Sequence, residues 1–147
     1  MPRDPIPTWF FALVVARKGE RFLLVEERDG EWYLPAGRVE PGEAFAEGAI
    51  RETLEEAGVA VALEGIFRIE HSPHAKGTRL RVFFVARAVD DKPPKSVPDE
   101  ESRSARWVTI EEAAALPLRS PEVLSLLHTV SRGAHVAPMK ILASERG

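Results

Sequence analysis

Apolar residues occur in short runs along most of the chain, and these runs predict β-strands. Residues 9–17 and 21–27 are rich in aromatic and β-branched side chains and are separated by Lys18-Gly19-Glu20. Such a pair predicts a hairpin, and its near-continuous apolar character indicates strands covered on both faces. The same features predict further strands at residues 32–34, 59–63, 65–71, 78–89 and 105–108.

The pattern changes to a helical one after a loop rich in Gly and Pro at residues 35–42. A helix is predicted over residues 44–57, ending at Gly58, the usual position of a left-handed cap. The spacing of its apolar residues predicts that its acidic side chains point toward the loop and solvent. The predicted inward face consists of Ala46, Ile50, Leu54 and Ala57.

Two more helices are predicted in the C-terminal third. Thr109 with Glu112 three residues later forms a capping box, and Ser120-Pro121 opens the last helix. Residues 90–103 are polar, without periodicity, and read as a long loop, whereas residues from 136 onward are poorly specified. This order of strands and helices predicts an α/β fold with a mixed sheet between helices. The stripe predicted to be buried in the last helix is Val123, Leu126, Leu127 and Val130.

Composition narrows the class of protein. The 147 residues are 44% hydrophobic, which suits one globular domain over residues 1–147. A net charge of −3 argues against binding nucleic acid, and the apolar run at residues 9–16 is too short to cross a membrane. No signal peptide is recognisable and there is no cysteine. We therefore expect a cytoplasmic protein whose partners are small molecules, and a homodimer is compatible with these features.

Candidate chemistry is concentrated on the first predicted helix. Glu52, Glu55 and Glu56 share one helix face, where like charges repel by a few tenths of a kcal/mol per pair. A divalent cation would neutralise them, and carboxylate oxygens suit a hard ion such as Mg²⁺, for which Mn²⁺ can substitute.

The same segment resembles the signature of the Nudix hydrolases. Its elements are Gly37, Glu43, Arg51-Glu52, Glu55-Glu56 and Gly58-Val59, in the order and at the distances that the signature requires. Thr53 departs from the pattern, because the family usually has an aliphatic residue there. The resemblance covers roughly residues 8–132 and implies an α/β/α sandwich that hydrolyses diphosphate linkages.

The resemblance also implies roles for individual residues. Glu52 and Glu56 would be the first candidates for direct metal ligands, and Glu55 the next. The Gly37 carbonyl would complete the coordination shell. Arg51, facing Glu47 and Glu55 on the helix, would fix the carboxylates. Glu43 would either interact with the helix dipole or orient the preceding loop.

The general base is left open between a helix glutamate, for which Glu55 is the candidate, and a residue of the later loop. In that loop Glu101 is preferred and Glu100 comes second, because relatives place a loop glutamate before a strand that carries a Trp. Solvated acidic residues would explain the loop equally well.

Substrate recognition is predicted from basic residues on the later strands. Arg68, Arg79 and Arg81 are candidates for contacting phosphates, although each also fits an ordinary solvent-facing position. Trp9, Phe10 and Phe11 fit a core role better than base stacking. Segments such as VEE, LPAGRVEPGE and LRSPEV are further similar to bacterial Nudix phosphatases of the NudJ type.

We therefore predict Mg²⁺-dependent hydrolysis of nucleoside di- and triphosphates or related nucleoside diphosphate derivatives. The alternative within enzymes is a pyrophosphatase for ADP-ribose or sugar nucleotides. A non-catalytic nucleotide-sensing module is the remaining alternative, and the complete set of glutamates argues against it.

Overall fold

The computed structural model describes residues 2–145 and places a mixed seven-stranded sheet between helices. The strands are β1 (Thr8–Lys18), β2 (Arg21–Glu26), β3 (Trp32–Tyr33), β4 (Ala36–Arg38), β5 (Val61–His74), β6 (Gly77–Ala88) and β7 (Ser104–Val108). The helices are α1 (Phe45–Ala57), α2 (Ile110–Ala114), α3 (Glu122–Ser131) and a 3₁₀ turn at Met139–Ile141. The predicted fold class is confirmed.

β1 is the centre of the sheet. It forms the predicted hairpin with β2, runs parallel to β6, and β6 pairs antiparallel with β5. On the β2 side, the first half of β1 pairs with β4, where Ala12 lies opposite Gly37, while β7 extends β2. The signature segment begins at Gly37 within β4 and therefore starts beside the central strand of the sheet.

The middle of β1, residues 12–16, is buried on both faces, as the sequence predicts. Ala12, Val14 and Ala16 face α1, whereas Leu13 and Val15 face α3. This alternation is the period of two expected for a strand. The predicted stripe of α3 and the capping box of α2 are also confirmed. Within residues 2–145, no helix has both the length and the apolar character needed to cross a bilayer.

The predicted inward face of α1 is wrong for Ile50 and Leu54, which are 40% and 52% exposed, whereas Ala57 is buried as predicted. The other residues that α1 buries are Gly48, Ala49 and Thr53. Small side chains allow the helix to lie close to the sheet, and size decides the orientation more than hydrophobicity does. Thr53 is fully buried, and its hydroxyl donates a hydrogen bond to the Ala49 carbonyl (2.8 Å).

Three boundaries also differ from the prediction. The two strands predicted at 59–63 and 65–71 are one strand, β5, interrupted by bulges at Glu64 and Phe67. The loop at 35–42 contains β4, since a three-residue strand with a central Gly gives little β signal. In the tail, Ala137 pairs with Ile66; residues 146 and 147 lie outside the described residues.

Candidate active site

Two glutamates of α1 lie directly on β4. A Cβ atom added to Gly37 would lie 2.1 Å from Cδ of Glu52, so only Gly permits this approach. One turn later, the Glu56 carboxylate accepts a hydrogen bond from the Ala36 amide (2.9 Å). Glu52 and Glu56 therefore face the loop of residues 35–42, as predicted, but the prediction that they also face solvent is wrong, because the rotated helix turns them toward the sheet.

Burial changes the acidity of both groups. It raises the pKa of Glu56 to about 8; the Ala36 hydrogen bond opposes this increase, and the negative charges of Glu52, Glu27 and Glu101 add to it. Burial likewise raises the pKa of Glu52 above its usual value, although Arg51 opposes this increase. A site in which buried carboxylates repel each other favours a positive ligand.

Arg51 places a positive charge among these carboxylates. Its guanidinium donates to both carboxylate oxygens of Glu43 (2.7 and 3.0 Å), to Glu52 (3.0 Å) and to Glu55 (3.2 Å). It also donates to the Arg38 carbonyl (3.2 Å). One side chain thus fixes three carboxylates and the end of β4.

Within residues 2–145, Arg51 does not make the predicted contact with Glu47. The Glu47 carboxylate instead accepts a hydrogen bond from the Ala44 amide at the start of α1 (3.0 Å). Glu43 accepts from the Glu40 amide (3.0 Å) as well as from Arg51. The Arg51 hydrogen bond, followed by this amide, lowers the pKa of Glu43 to about 2. These contacts favour the loop-orienting role of Glu43.

The later loop reaches the same carboxylates. No helix or strand occurs between β6 and β7 in the described chain, and the loop places the negative charge of Glu101 close enough to raise the pKa of both Glu52 and Glu56. Glu27, just after β2, acts on Glu56 in the same way and was missed by the sequence reasoning. The sequence feature that could have indicated Glu27 is the pair of adjacent acidic residues, Glu26 and Glu27, after an apolar strand.

The carboxylates of Glu52, Glu55 and Glu56 are oxygen donors that suit a hard cation, although they do not point at one common position. Across residues 2–145, no three His, Asp or Glu side chains converge as ligands. The reason is that Arg51 holds Glu52 and Glu55, while the Ala36 amide holds Glu56. Carboxylate oxygens, mutual repulsion and the close approach at Gly37 nevertheless fit Mg²⁺.

A cleft opens on the other side of Gly37. It measures about 150 Å³ and combines aromatic with basic side chains. The Arg79 guanidinium lies 4.8 Å from the ring centre of Phe11, and that of Arg119 lies 4.5 Å from the ring centre of Tyr33. The lining residues are Phe11, Leu13, Tyr33, Ala36, Gly37, Arg79, Arg81 and Arg119.

The three predicted arginines occupy different environments. Arg79 is exposed in the cleft, whereas Arg81 is held by ion pairs with Glu70 (2.6 Å) and Glu122 (3.0 Å). Arg68 pairs with Glu70 (2.6 Å) and borders a separate depression beside α3. The structure thus brings two of the three to the cleft.

Arg119 and Tyr33 were missed by the sequence reasoning, because segments far apart in the chain bring them together. Tyr33 donates a hydrogen bond to Glu122. The expected core role is wrong for Trp9 and Phe10, which are 42% and 38% exposed, whereas Phe11 forms part of the cleft wall.

Comparison with known proteins gives a consistent result. The NUDIX domain model matches residues 7–127. The 8-oxo-dGDP phosphatase NUDT18 of Homo sapiens is 33% identical over 126 residues, which are 82% of this chain and 38% of that protein. The bis(5'-nucleosyl)-tetraphosphatase (asymmetrical) of Rattus norvegicus is 36% identical over 101 residues, 65% of this chain and 68% of that protein.

Solved structures agree with these matches. A NUDIX hydrolase from Nitrosomonas europaea superposes with a TM-score of 0.79 at 30% identity, covering 95% of this chain and 99% of that one. An ADP-ribose pyrophosphatase from Streptococcus suis shares the fold at 23% identity, with a TM-score of 0.69 over 87% of this chain and 95% of that one. The chain spans less than half the length of the NUDT18 proteins that it matches.

Proposed function

This chain belongs to the NUDIX hydrolase family, and from that premise we propose that it hydrolyses a diphosphate linkage in nucleoside di- or triphosphates, or in related nucleoside diphosphate derivatives, with Mg²⁺. The observation that supports this most is the position of Gly37. The mutually repelling carboxylates of α1 lie on one side of it, and a cleft with cationic and aromatic walls lies on the other.

Glu52, Glu55 and Glu56, with the Gly37 carbonyl, would hold the Mg²⁺. When bound, the ion neutralises charge on phosphoryl oxygens and makes a water molecule more acidic. Arg51 holds Glu52 and Glu55 close together on one side of the helix, and both carboxylates would turn from Arg51 toward the ion when it binds.

We assign the general base to Glu101. Its side chain is exposed, so water can reach it, and its charge acts on Glu52 and Glu56, so it lies near the proposed metal ligands. Both features suit a carboxylate that removes a proton from the attacking water. Glu55, which is also partly exposed, is the alternative base on the helix.

The cleft would hold the nucleoside side of the substrate. Its volume of about 150 Å³ is below the roughly 300–1,000 Å³ typical of sites for a complete ligand, so it suits one part of a nucleotide. The Arg79 guanidinium can bind phosphate oxygens, as can that of Arg119, which pairs with a single carboxylate, Glu27 (3.0 Å), and the Phe11 ring offers an aromatic surface. Arg81, already neutralised by two carboxylates, would instead hold Tyr33 and Glu122 in position.

The relatives favour a nucleotide substrate, since those matched at 33% and 36% identity are named for 8-oxo-dGDP and for a dinucleoside tetraphosphate. The ADP-ribose alternative has weaker support, because the solved structure with that name shares only the fold at 23% identity. The similarity to NudJ-type phosphatases stays a prediction.

A substrate panel tests this proposal. Nucleoside di- and triphosphates, 8-oxo-dGDP, a dinucleoside tetraphosphate and ADP-ribose are each incubated with Mg²⁺, and phosphate, pyrophosphate and nucleoside monophosphate are measured separately. We expect turnover to be highest with a nucleoside di- or triphosphate. Turnover restricted to ADP-ribose would support the alternative, and none at all would refute both.

A further inference from the structure

The C-terminal end of α1 is closed by the loop of residues 90–103. The last four carbonyl groups of a helix have no partner within the helix. Here each of them accepts a hydrogen bond, three from this loop and one from the capping Gly. In chain order, the carbonyls of Leu54, Glu55, Glu56 and Ala57 accept from Gly58 N (2.9 Å), Lys95 Nζ (2.7 Å), Ser102 Oγ (2.5 Å) and Lys95 N (2.8 Å).

Lys95 is the centre of this arrangement. Its side chain is only 11% exposed and pairs with Asp99 (2.7 Å) while donating to the Ser102 hydroxyl (2.9 Å). The last turn of α1 has no basic residue of its own. The Lys95 ammonium therefore supplies the positive charge that stabilises the negative end of the helix dipole.

The same contacts fix the backbone that carries Glu101. The Asp99 carboxylate accepts from the amides of Glu101 (2.8 Å) and Ser102 (3.2 Å). Ser102 is fully buried, so the residue that follows Glu101 is anchored on the helix. A continuous path of hydrogen bonds thus runs from the α1 turn with Glu55 and Glu56, through Lys95 and Asp99, to Glu101.

We infer that Lys95 is a positioning residue for the reaction: with Asp99 and Ser102 it holds Glu101 at a fixed place relative to the carboxylates of α1. This inference rests on the proposed function and on the assignment of Glu101 as general base. A misplacement of about 1 Å can lower a catalytic rate by about 10²-fold. Loss of these contacts should therefore lower kcat even where the fold persists.

A purely structural role would have different consequences. If Lys95 only anchored a surface loop, its removal would raise local mobility without changing turnover per folded molecule. Two measurements separate the alternatives: hydrogen exchange of residues 98–103 in the metal-free protein, and kcat with KM for the best nucleotide of the panel at saturating Mg²⁺.

The first variant is Lys95→Met, which removes the charge. The second is Ser102→Ala, a milder change that tests the same contacts if Lys95→Met does not fold. Lys18→Met is the matched control. Lys18 pairs with Asp91 of the same loop (3.4 Å), but this pair is far more exposed, at 50% and 97%. Glu101→Gln is made alone and combined with Lys95→Met.

We expect faster exchange of residues 98–103 in Lys95→Met, and a kcat about 10- to 100-fold lower with KM changed by less than about threefold. Ser102→Ala should show a smaller effect of the same kind, and Lys18→Met none. If Lys95 acts through Glu101, the double variant should be no slower than Glu101→Gln alone.

Faster exchange with unchanged kcat would overturn the positioning role and leave the proposed function intact. So would independent, multiplicative losses in the double variant. Absence of turnover in the wild-type protein would instead refute the proposed function, and this inference with it.

Discussion

Glu56 combines features that rarely occur together at the residue scale. Its carboxylate is largely buried, and its hydrogen-bond partner, the Ala36 amide, carries no charge. The negative charges of three other glutamates raise its pKa. Groups perturbed in this way are concentrated at functional sites. Glu56 is therefore the residue where a bound cation would have the greatest effect.

This burial predicts how stability depends on pH in the metal-free protein. The pKa of Glu56 is about 8 in the folded state and ordinarily 4.5, so between these values the folded protein keeps a proton that the unfolded chain releases. Its contribution to the free energy of unfolding is full below pH 4.5 and is lost as pH rises toward 8. The total loss should be on the order of a few kcal/mol.

Glu56→Gln removes this titration, so we expect its free energy of unfolding to fall less between pH 5 and 8.5 than that of the wild type. Urea denaturation of both metal-free proteins measures the difference. Glu43→Gln is a suitable control, because the pKa of Glu43 is about 2 and this carboxyl does not titrate in that range. Parallel pH profiles for wild type and Glu56→Gln would show that Glu56 is ionised throughout.

A second prediction concerns the cleft. Arg79 and Arg87 are exposed arginines on the same strand, β6, but only Arg79 borders the cleft. Arg79→Ala should raise KM for the nucleotide about tenfold and change kcat by less than about threefold, since it removes binding that ground state and transition state share.

Steady-state kinetics of Arg79→Ala and Arg87→Ala measure this difference. Arg87 lies at the far end of β6, opposite Arg17, and its variant should match the wild type. Equal KM values for both variants and the wild type would remove Arg79 from the substrate site.

The signature residues that lie together on α1 could be predicted from the sequence. The sequence was not sufficient for Glu27, Tyr33 and Arg119, because they reach the site from separate segments of the chain. No local spacing encodes such proximity. Burial of the glutamates was also missed, because it depends on which side of α1 lies on the sheet.

At the scale of elements, α1 shows why hydrophobicity alone misjudged that orientation. The helix lies on the sheet through Gly48, Ala49 and Ala57, and its two larger aliphatic residues, Ile50 and Leu54, stay partly exposed. The close approach brings Glu52 onto Gly37. A helix packed through Ile50 and Leu54 would have turned the glutamates away.

Two leucines on different helices test this orientation. Leu54 is 52% exposed on α1, whereas Leu127 is fully buried on α3. Leu54→Ala should change the free energy of unfolding by no more than about 0.5 kcal/mol, and Leu127→Ala should lower it by about 2–5 kcal/mol. Chemical denaturation measures both. A loss of more than about 2 kcal/mol for Leu54→Ala would mean that α1 is packed as the sequence pattern suggested.

The strands were predictable to the extent that alternation and turn residues mark them. The hairpin of β1 and β2 and the cap of α1 at Gly58 illustrate this. The continuity of β5 was not predictable, because its bulges interrupt the alternation of side chains. The packing of Ala137 against Ile66 depends on a contact far away in the chain.

At the scale of the whole molecule, the split pairing of β1 creates the site. β2 and β4 pair with different parts of the same side of β1, and β4 is short. The α1 carboxylates lie against one face of β4, and the cleft opens on its other face. Negative and positive side chains thus meet across a single Gly. A substrate that carries both phosphates and an aromatic base suits this arrangement.

The most direct test of the account is the metal dependence of turnover. The best substrate of the panel is assayed after exhaustive treatment with EDTA and then at increasing free Mg²⁺, for the wild type and for Glu56→Gln. We predict no turnover without metal, saturable recovery in the wild type, and a rate at saturation about 10²-fold lower or more in Glu56→Gln. Undiminished turnover after chelation, or a normal rate in Glu56→Gln at saturating Mg²⁺, would contradict the proposal that the α1 carboxylates form a catalytic metal site.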